Sequence, residues 1–283
     1  MIQNDILTER QRRCIPDVTF ELIPIKNLVS NQDYQRPLSE GHIRKALEEF
    51  DVFQINPVKV SRRNGINYVF DGQHTIEIVA SESGSRDTPV WCMVYTELQY
   101  QEEAHIFADQ QKHVKALVPY EMFNAHIEAG DEKQKMIEAI VRSYGLTITS
   151  TKQMNGICAV TTLERIYDKF GHSVLDTTLR LIVGTWEGEN NSLSGSMLMG
   201  IAQIVAIYGD ALKEDMFREH VGKVSVKTII RTAKERRPGS YGYSEAILLA
   251  YNGKNKKRLS LKALYDKKKM SASPYEEDAQ DDT

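Results

Sequence analysis

The stretch Asn67–Ala80 constrains the possible fold more than any other part of the chain. It opens with three aromatic or β-branched residues, which favour a buried strand: Tyr68, Val69 and Phe70. Asp71-Gly72 ends this strand, because glycine tolerates a tight turn. Apolar residues then recur at helical spacing: Ile76, Val79 and Ala80. The pattern therefore predicts a strand, a sharp turn and the N-terminus of a helix.

This turn is a candidate anion site. The first backbone N–H groups of a helix have no partner within it and lie at the positive end of its dipole, where phosphates bind. Asp71 and His74 flank the turn, where they are candidates to bind a metal, transfer a proton or hydrogen-bond a phosphate. The same residues also have a purely structural interpretation, in which Asp71 caps the helix and His74 is a hydrogen-bonded turn residue. Both interpretations are open at this point.

The composition is that of an ordinary globular protein. With 283 residues, of which 41% are hydrophobic and 27% charged, the chain is long enough for two domains. Its three cysteines, Cys14, Cys92 and Cys158, are far apart and lack CxxC spacing, so neither a disulfide framework nor a zinc site is expected. No signal segment and no apolar run of membrane-spanning length is found. We therefore expect a cytoplasmic protein with no membrane partner.

Charge is distributed unevenly near the C-terminus. The net charge is -3, yet the last nine residues contain five acidic residues and no basic ones. A basic run precedes them, and its first part is expected to contact DNA phosphates: Lys254, Lys256, Lys257 and Arg258. The alternative is a solvated helix followed by a disordered tail, whose charges only aid solubility.

The first part of the chain shows alternating strand and helix signals. Thr19–Ile25 is a predicted strand that Pro24 places at a sheet edge or strand end. Ser39 is a candidate N-cap for an amphipathic helix that ends near Asp51. Two predicted strands, 56–63 and 66–70, are joined by Asn64-Gly65, a strong hairpin signal. A further strand is predicted over residues 88–96, and helices over 102–112 and from 117 onward.

The second part of the chain shows helical periodicity. From about Asp131 onward no convincing pair of strands appears, and glycines such as Gly145 and Gly171 end successive helical patterns. We therefore predict an α+β protein, with a mixed α/β N-terminal domain followed by an all-helical C-terminal domain. The predicted boundaries are a tail at 1–17, a first domain at 18–130, a helical domain at 131–266 and a disordered basic-then-acidic tail at 267–283.

Three short motifs occur in order along the first domain. They are Tyr34-Gln35-Arg36-Pro37, Asp71-Gly72-Gln73-His74-Thr75, and Asp109-Gln110-Gln111-Lys112 followed by Pro119-Tyr120-Glu121. Together they resemble the three boxes of the ParB/sulfiredoxin superfamily, and in particular the ParB-like N-terminal domains of plasmid, phage and integrated-element proteins. The resemblance implies a mobile-element origin and the ParB/sulfiredoxin fold over roughly residues 18–130.

The resemblance also implies a nucleotide site. In the superfamily the three boxes converge on a nucleoside triphosphate, CTP or ATP, with Mg²⁺. The residues that would bind it here are Arg36, Gly72, Gln73, His74, Thr75, Gln111 and Lys112. The carboxylate of Asp109 would bind the metal, and Asp71, His74 and Asp109 are the candidate catalytic residues.

The chain departs from the family pattern at several positions. Gln73 or Gly72 stands where sulfiredoxin has its catalytic cysteine, so sulfiredoxin activity is not expected. Thr75 and Lys112 stand where relatives have arginine, which weakens the expected phosphate contacts. Three hypotheses follow: a nucleotide-binding module coupled to DNA, a protein partner or a second copy of the chain; a phosphotransferase or nucleotide hydrolase that uses the same site; and a ParB-fold scaffold without nucleotide.

Overall fold

The computed structural model describes residues 8–30, 34–96, 98–113, 116–189, 191–253 and 258–266, with the side chains of 111–113 excepted. The chain forms two compact units, Met1–Lys115 and Ala116–Thr283. Among the described residues, no helix combines the length and apolar character that crossing a membrane requires. The predicted tail at 267–283 lies outside the described residues.

A five-stranded sheet forms the centre of the first unit. Its strands are β1 (Val18–Pro24), β2 (Leu28–Ser30), β3 (Val58–Arg63), β4 (Ile66–Asp71) and β5 (Pro89–Thr96). Their order is β1-β5-β3-β4-β2, with β1/β5 and β3/β4 antiparallel and β3/β5 and β2/β4 parallel. The edge position of β1 agrees with the prediction from Pro24, since proline donates no hydrogen bond to a neighbouring strand.

The predicted hairpin between β3 and β4 is confirmed. Arg63 pairs with Ile66 across the two-residue turn Asn64-Gly65, and both turn residues have positive φ, 50° and 76°. These angles suit the turn that matches the twist of antiparallel strands. The hairpin places β4 inside the sheet, so that its C-terminal end delivers Asp71 to the sheet's rim.

Four helices accompany this sheet: α1 (Glu9–Arg12), α2 (Glu40–Glu48), α3 (Gln73–Ser83) and α4 (Tyr100–His113). The core of the unit is made by apolar residues of the strands, of α3 and of the turn after β1: Ile23, Ile25, Val58, Val60, Val69, Ile76, Val90, Cys92 and Val94. Cys92 is thus a buried thiol, and all three cysteines are free.

A buried carboxylate links α4 to the sheet. Glu103 is fully buried, and its Oε1 lies 3.0 Å from the guanidinium of Arg63 on β3. The hydroxyl of Tyr34 donates to the other oxygen of Glu103 at 3.3 Å. Burial, together with the nearby Glu103, raises the pKa of Tyr34, so this hydroxyl stays protonated. The network fixes α4 and the loop around Tyr34 on the same part of the first unit.

The second unit is built from helices, which confirms the predicted α+β class. They are α5 (Pro119–Ala129), α6 (Glu132–Ser143), α7 (Val160–Trp186), α8 (Gly195–Tyr208), α9 (Glu214–Val221), α10 (Val226–Arg236) and α11 (Ser240–Asn252). Gly171 interrupts α7 with φ 81° and ψ 170°, as its position in the pattern predicts. One detail is wrong: a parallel pair of two-residue strands, Thr147–Ile148 and Gly156–Ile157, lies after residue 131. Strands this short carry no alternating pattern.

The core of the second unit extends to α5. Phe123 is buried there together with Ile137 of α6 and Leu163 of α7. The compact units divide between Lys115 and Ala116, whereas the predicted domain boundary lies at residue 130. The difference arises because α5 begins with the last part of the third motif, Pro119-Tyr120-Glu121, but packs with the helices of the second unit.

Candidate functional site

The turn between β4 and α3 requires glycine. Gly72 has φ 101°, a backbone conformation that residues with a Cβ rarely adopt. A Cβ at this position would lie 3.2 Å from the Cα of Val58 on the neighbouring strand β3. Both the backbone angle and this close approach disfavour a larger residue. The strand therefore passes directly into α3, with no intervening loop.

Among the described residues, the first backbone N–H groups of α3 have no hydrogen-bond acceptor. No side chain caps this helix, and the first bond within it runs from the N–H of Ile76 to the carbonyl of Gly72 at 3.1 Å. The N–H groups of Gln73, His74 and Thr75 precede that bond. These groups lie at the positive end of the helix dipole, which favours a bound anion. The proposed cap Asp71 is the last residue of β4 and does not cap the helix.

Two buried amides hold the Gln35-Arg36 segment beside this turn. The Nε2 of Gln35 donates to the carbonyl of Val69 on β4 at 2.5 Å. The Nε2 of Gln73 donates to the carbonyl of Arg36. Because Val69 accepts from the Gln35 nitrogen, the Gln35 oxygen Oε1 is turned the other way, and it is buried without a hydrogen-bond partner. A buried acceptor without a donor is costly, and Gln35 is one of the residues that line the adjacent pocket.

His74 is a hydrogen-bond acceptor in this arrangement. Its Nε2 accepts the backbone N–H of Ser39, the N-cap of α2, at 3.1 Å. An accepting nitrogen carries no proton, so the ring is neutral with its proton on Nδ1. Burial is the main cause that lowers the pKa of His74, and the nearby His42 and Arg36 lower it further. His74 thus positions α2 and retains one donor, Nδ1–H.

Asp71 is paired across the hairpin. Its Oδ2 lies 3.7 Å from the Nζ of Lys59, the residue opposite it on β3. Both side chains are partly exposed, so this pair is worth little stability. The pair brings one carboxylate and one ammonium to the rim of the sheet next to the N-terminus of α3.

These elements enclose a pocket of about 260 Å³ in the first unit. Its lining residues are Gln35, Arg36, Asp71, Gly72, Gln73, His74, Thr75 and Phe107. The structure therefore brings together six of the residues that the sequence predicts for the site, although they come from two separate motifs. Backbone donors, an arginine, a carboxylate and the amide side chain of Gln35 meet here. Such a set can bind an anionic group and one neighbouring hydrogen-bond donor.

Residues of the third motif are placed differently. Asp109 lies on α4 with an exposed side chain and is not among the residues that line the pocket. Gln111 and Lys112 belong to the same helix, but their side chains lie outside the described residues. Within the described ranges, no group of three or more His, Cys, Asp or Glu side chains gathers at one point as a metal-binding cluster.

Two lining residues were missed by the sequence reasoning. Gln35 stands inside the first motif next to Arg36, and this position could have indicated that it lies at the pocket. The orientation of its amide follows only from the contact with Val69. Phe107 lies on α4, where its apolar character predicted a core residue. Its place beside the pocket depends on how α4 packs on the sheet, and local sequence carries no information about that contact.

The predicted DNA-binding residues are only partly described. Lys254, Lys256 and Lys257 lie outside the described residues, while Arg258 is exposed. Asn252 closes the base of this segment, since its amide Nδ2 donates to the carbonyl of Leu259 and its Oδ1 accepts the Leu259 N–H, both at 2.8 Å. These two hydrogen bonds join Asn252 and Leu259, which are described residues on either side of 254–257.

Comparison with known proteins gives a family and similarity to solved structures. A family model described as "Family of unknown function (DUF6551)" matches residues 29–263. No curated protein gives a match. Among solved structures, the chain is similar to C-terminally truncated chromosome-partitioning protein ParB from Caulobacter crescentus, complexed with CTP-gamma-S, at 13% identity and a TM-score of 0.39, over 66% of this chain and 99% of that chain. Because the family model spans well over half of the sequence, the chain belongs to the DUF6551 family.

Proposed function

We propose that the pocket at the N-terminus of α3 binds a nucleotide and that the protein is a nucleotide-dependent binding module of ParB-like type. The observation that carries the proposal is the convergence of the N-terminus of α3 with Arg36 in one pocket that Gln35 also lines. Each of the two polar parts of that pocket selects a different part of a nucleotide.

The first part suits the phosphates. The N–H groups of Gln73, His74 and Thr75 precede the first hydrogen bond within α3, and the hydroxyl of Thr75 and the guanidinium of Arg36 belong to the same pocket lining. Hydrogen bonds from backbone and guanidinium donors to phosphate oxygens are among the stronger ones in proteins. The neutral His74 adds its Nδ1–H as a further donor.

The second part suits the nucleoside. Gln35 Oε1 accepts hydrogen bonds but cannot donate, so it requires an N–H or O–H group on the ligand. A fully ionised polyphosphate has no such group, whereas a nucleotide offers ribose hydroxyls and base amino groups. The Gln35 oxygen is therefore expected to distinguish a nucleotide from inorganic polyphosphate.

Mg²⁺ would enter this site with the phosphates. Asp71 is the one carboxylate among the lining residues of the pocket. Mg²⁺ is commonly bound through one or two carboxylates, several waters and the substrate phosphates, so the donor set fits an ion that arrives with the nucleotide. When bound, the ion would neutralise phosphate charge. Asp71 would hold it in place of its present partner Lys59.

The arrangement favours binding over turnover. A phosphotransferase or hydrolase needs a free base near the phosphate. Nε2 of His74 already accepts the Ser39 N–H, and Asp71 would be occupied by Mg²⁺ when the nucleotide is bound. Asp109, the other candidate base, is not part of the pocket lining. CTP or ATP would then act as a ligand that changes what the protein binds, with DNA, a protein partner or a second copy of the chain as the partner.

A thermal-shift panel tests the nucleotide proposal. CTP, ATP, GTP, UTP and tripolyphosphate are each compared with and without Mg²⁺. A ligand present at a hundred times its dissociation constant stabilises the folded state by about 2.7 kcal/mol. We expect a shift with at least one nucleotide, lost in Arg36→Ala and kept in the control Arg44→Ala, which changes an exposed arginine of α2 outside the pocket lining.

Two results would contradict the proposal. If no nucleotide shifts the melting temperature, the chain is a scaffold without nucleotide. If Arg36→Ala and Arg44→Ala respond equally, the nucleotide binds elsewhere.

The role of Gln35 is tested by Gln35→Met, which keeps the side-chain length and removes the acceptor. Loss of one hydrogen bond of about 0.5–1.5 kcal/mol corresponds to a roughly 2- to 12-fold loss of affinity. We expect this loss for the nucleotide and a smaller one for tripolyphosphate, measured by isothermal titration. Equal losses for both ligands would show that Gln35 only supports the fold of the pocket through Val69.

A further inference from the structure

A second basic feature lies in the middle of the second unit, well before the basic run at 254–258. Residues 222–239 contain six basic residues and one acidic residue, Glu235, although the whole chain has a net charge of -3. The basic residues are Lys223, Lys227, Arg231, Lys234, Arg236 and Arg237. This segment comprises α10 and the turns on either side of it.

Three of these cations form one line along α10. The helix buries Val226, Ile229 and Ala233 in the core of the second unit. Lys227, Arg231 and Lys234 are all exposed and stand four and three residues apart. Residues at these spacings lie above one another on a helix surface, and seven residues span about 10 Å. We call these three residues the α10 basic ridge.

The ridge differs from the other basic residues of its segment because its charges are not neutralised. Lys223 pairs with Glu219 at 2.9 Å, and Arg236 pairs with Glu245. None of the three ridge residues makes an ion pair within 4.0 Å among the described residues, and this includes Arg231 and Glu235, which are four residues apart. Like charges at such spacing destabilise a helix by about 0.2–0.5 kcal/mol per pair. A polyanion at this surface would remove that repulsion.

We propose that the α10 basic ridge binds the phosphate backbone of double-stranded nucleic acid. A duplex carries one negative charge per roughly 1.7 Å of its axis, so three cations along about 10 Å meet several phosphates at once. The inference goes beyond nucleotide binding in the first unit and does not depend on it. It assigns the nucleic-acid contact to α10, whose three ridge cations make no ion pair among the described residues.

Two other anionic partners fit the surface less well. A membrane-binding helix inserts its apolar face into the lipid, but the apolar face of α10 is packed in the protein core. Single strands are usually bound by aromatic rings on which bases stack. Among the described residues of the second unit, Tyr265 is the one exposed Phe, Tyr or Trp ring, and it already has Arg237 over it at 4.9 Å and stacks with Tyr241 at 5.7 Å. The ridge therefore offers charge without a free stacking surface, which favours a duplex.

The test compares two triple variants of the full chain that each remove three exposed cations. The first is Lys227→Ala, Arg231→Ala and Lys234→Ala. The charge-matched control is Lys152→Ala, Arg165→Ala and Lys169→Ala, in the same unit. There, an acidic residue stands directly before each cation of α7, Glu164 before Arg165 and Asp168 before Lys169. Binding to fluorescent duplexes of two unrelated sequences is measured by anisotropy between 50 and 200 mM salt, after circular dichroism has confirmed that both variants are folded.

We expect the ridge variant to bind both duplexes more weakly and with less salt dependence. Each phosphate contact contributes about -0.9 to the slope of log affinity against log salt concentration. Loss of three contacts lowers the slope by nearly 3, so the wild type should lose about 40-fold more affinity than the variant between 50 and 200 mM salt. The control should retain the wild-type slope. The charge-retaining variant Lys227→Arg with Lys234→Arg should retain both slope and affinity.

Three outcomes would overturn the inference. Equal losses in the ridge and control variants would indicate an effect of total charge alone. Absence of duplex binding by the wild type at 50 mM salt would exclude this partner. Tighter binding to a single strand than to a duplex of the same length would show that the partner is single-stranded nucleic acid.

A nucleotide-induced thermal shift that persists in the ridge variant would show that the two sites are separate.

Discussion

At the scale of single residues, His74 shows how a site residue can also hold the local structure together. Its Nε2 accepts the N–H of Ser39, which in turn caps α2 by accepting the N–H of His42 on its hydroxyl. Sequence motifs suggested a phosphate or proton role for this histidine, and a turn role as the alternative. The structure supports the second interpretation for Nε2, and His74 is also one of the residues that line the pocket.

The neutral state of His74 predicts how stability depends on pH. Burial lowers its folded-state pKa below the usual value of about 6.5, so the unfolded chain binds a proton at higher pH than the folded chain does. The stability that this residue contributes is present above pH 6.5 and is lost as the pH falls through the folded-state pKa. The variant His74→Gln keeps an acceptor for Ser39 but cannot titrate.

We therefore expect the wild type to lose stability relative to His74→Gln between pH 7.5 and pH 5.5, as measured by urea unfolding. The control is His105→Gln, which changes an exposed histidine of α4. His74→Ala at pH 7.5 should cost about 0.5–1.5 kcal/mol for the lost hydrogen bond. The prediction fails if the wild type and His74→Gln change in parallel with pH.

At the scale of elements, the turn between β4 and α3 depends on Gly72. Alanine there would adopt a left-handed backbone, which costs about 1–2 kcal/mol, and its Cβ would press against the Cα of Val58 at 3.2 Å. That Cα belongs to a central strand and cannot move away easily. Gly84, which ends α3 with φ 67°, has no atom within 4 Å of the place that a Cβ would take, and it is the matched control.

We expect Gly72→Ala to cost about 2–3 kcal/mol in free energy of unfolding, and Gly84→Ala to cost only the backbone part. Urea unfolding of both variants measures the difference. Nucleotide binding should be lost in Gly72→Ala even under conditions where the variant remains folded, because the N–H groups of α3 would shift. Equal costs at the two glycines would show that the contact with Val58 does not matter.

The elements that the sequence predicted well are those with strong local signals. The hairpin at Asn64-Gly65 and the strand, turn and helix around Gly72 need only a few neighbouring residues to specify them. The three-residue strand β2 carries no pattern of its own and exists because it pairs with β4. For the same reason the roles of Gln35 and Phe107 were missed, since both depend on contacts between residues far apart in the chain.

At the scale of the whole molecule, the chain has two separate hydrophobic cores. The first contains residues from Ile23 to Val94, and the second contains residues from Phe123 to Leu264, with no residue in common. A domain with its own core can in principle fold alone. Sequence motifs group α5 with the first domain, whereas burial of Phe123 groups it with the second unit.

Fragments of the chain can distinguish the boundary after residue 115, given by the compact units, from the boundary after residue 130, predicted from the sequence. We expect 1–115 and 116–283 each to unfold cooperatively. The fragment 131–283, which begins at the boundary predicted from sequence, lacks α5 and should be much less stable than 116–283. Loss of a buried phenylalanine alone costs about 3–5 kcal/mol, a large part of the 5–15 kcal/mol that stabilises a typical domain.

Point variants within 116–283 distinguish the loss of core packing from a general effect of truncation. Phe123 is 1% exposed, and its neighbour Met122 is 46% exposed. Phe123→Ala should therefore lower the free energy of unfolding by about 3–5 kcal/mol, while Met122→Ala should change it by less than about 0.5 kcal/mol. If 131–283 is instead as stable as 116–283, α5 and its buried Phe123 do not stabilise the second unit, and the prediction is wrong.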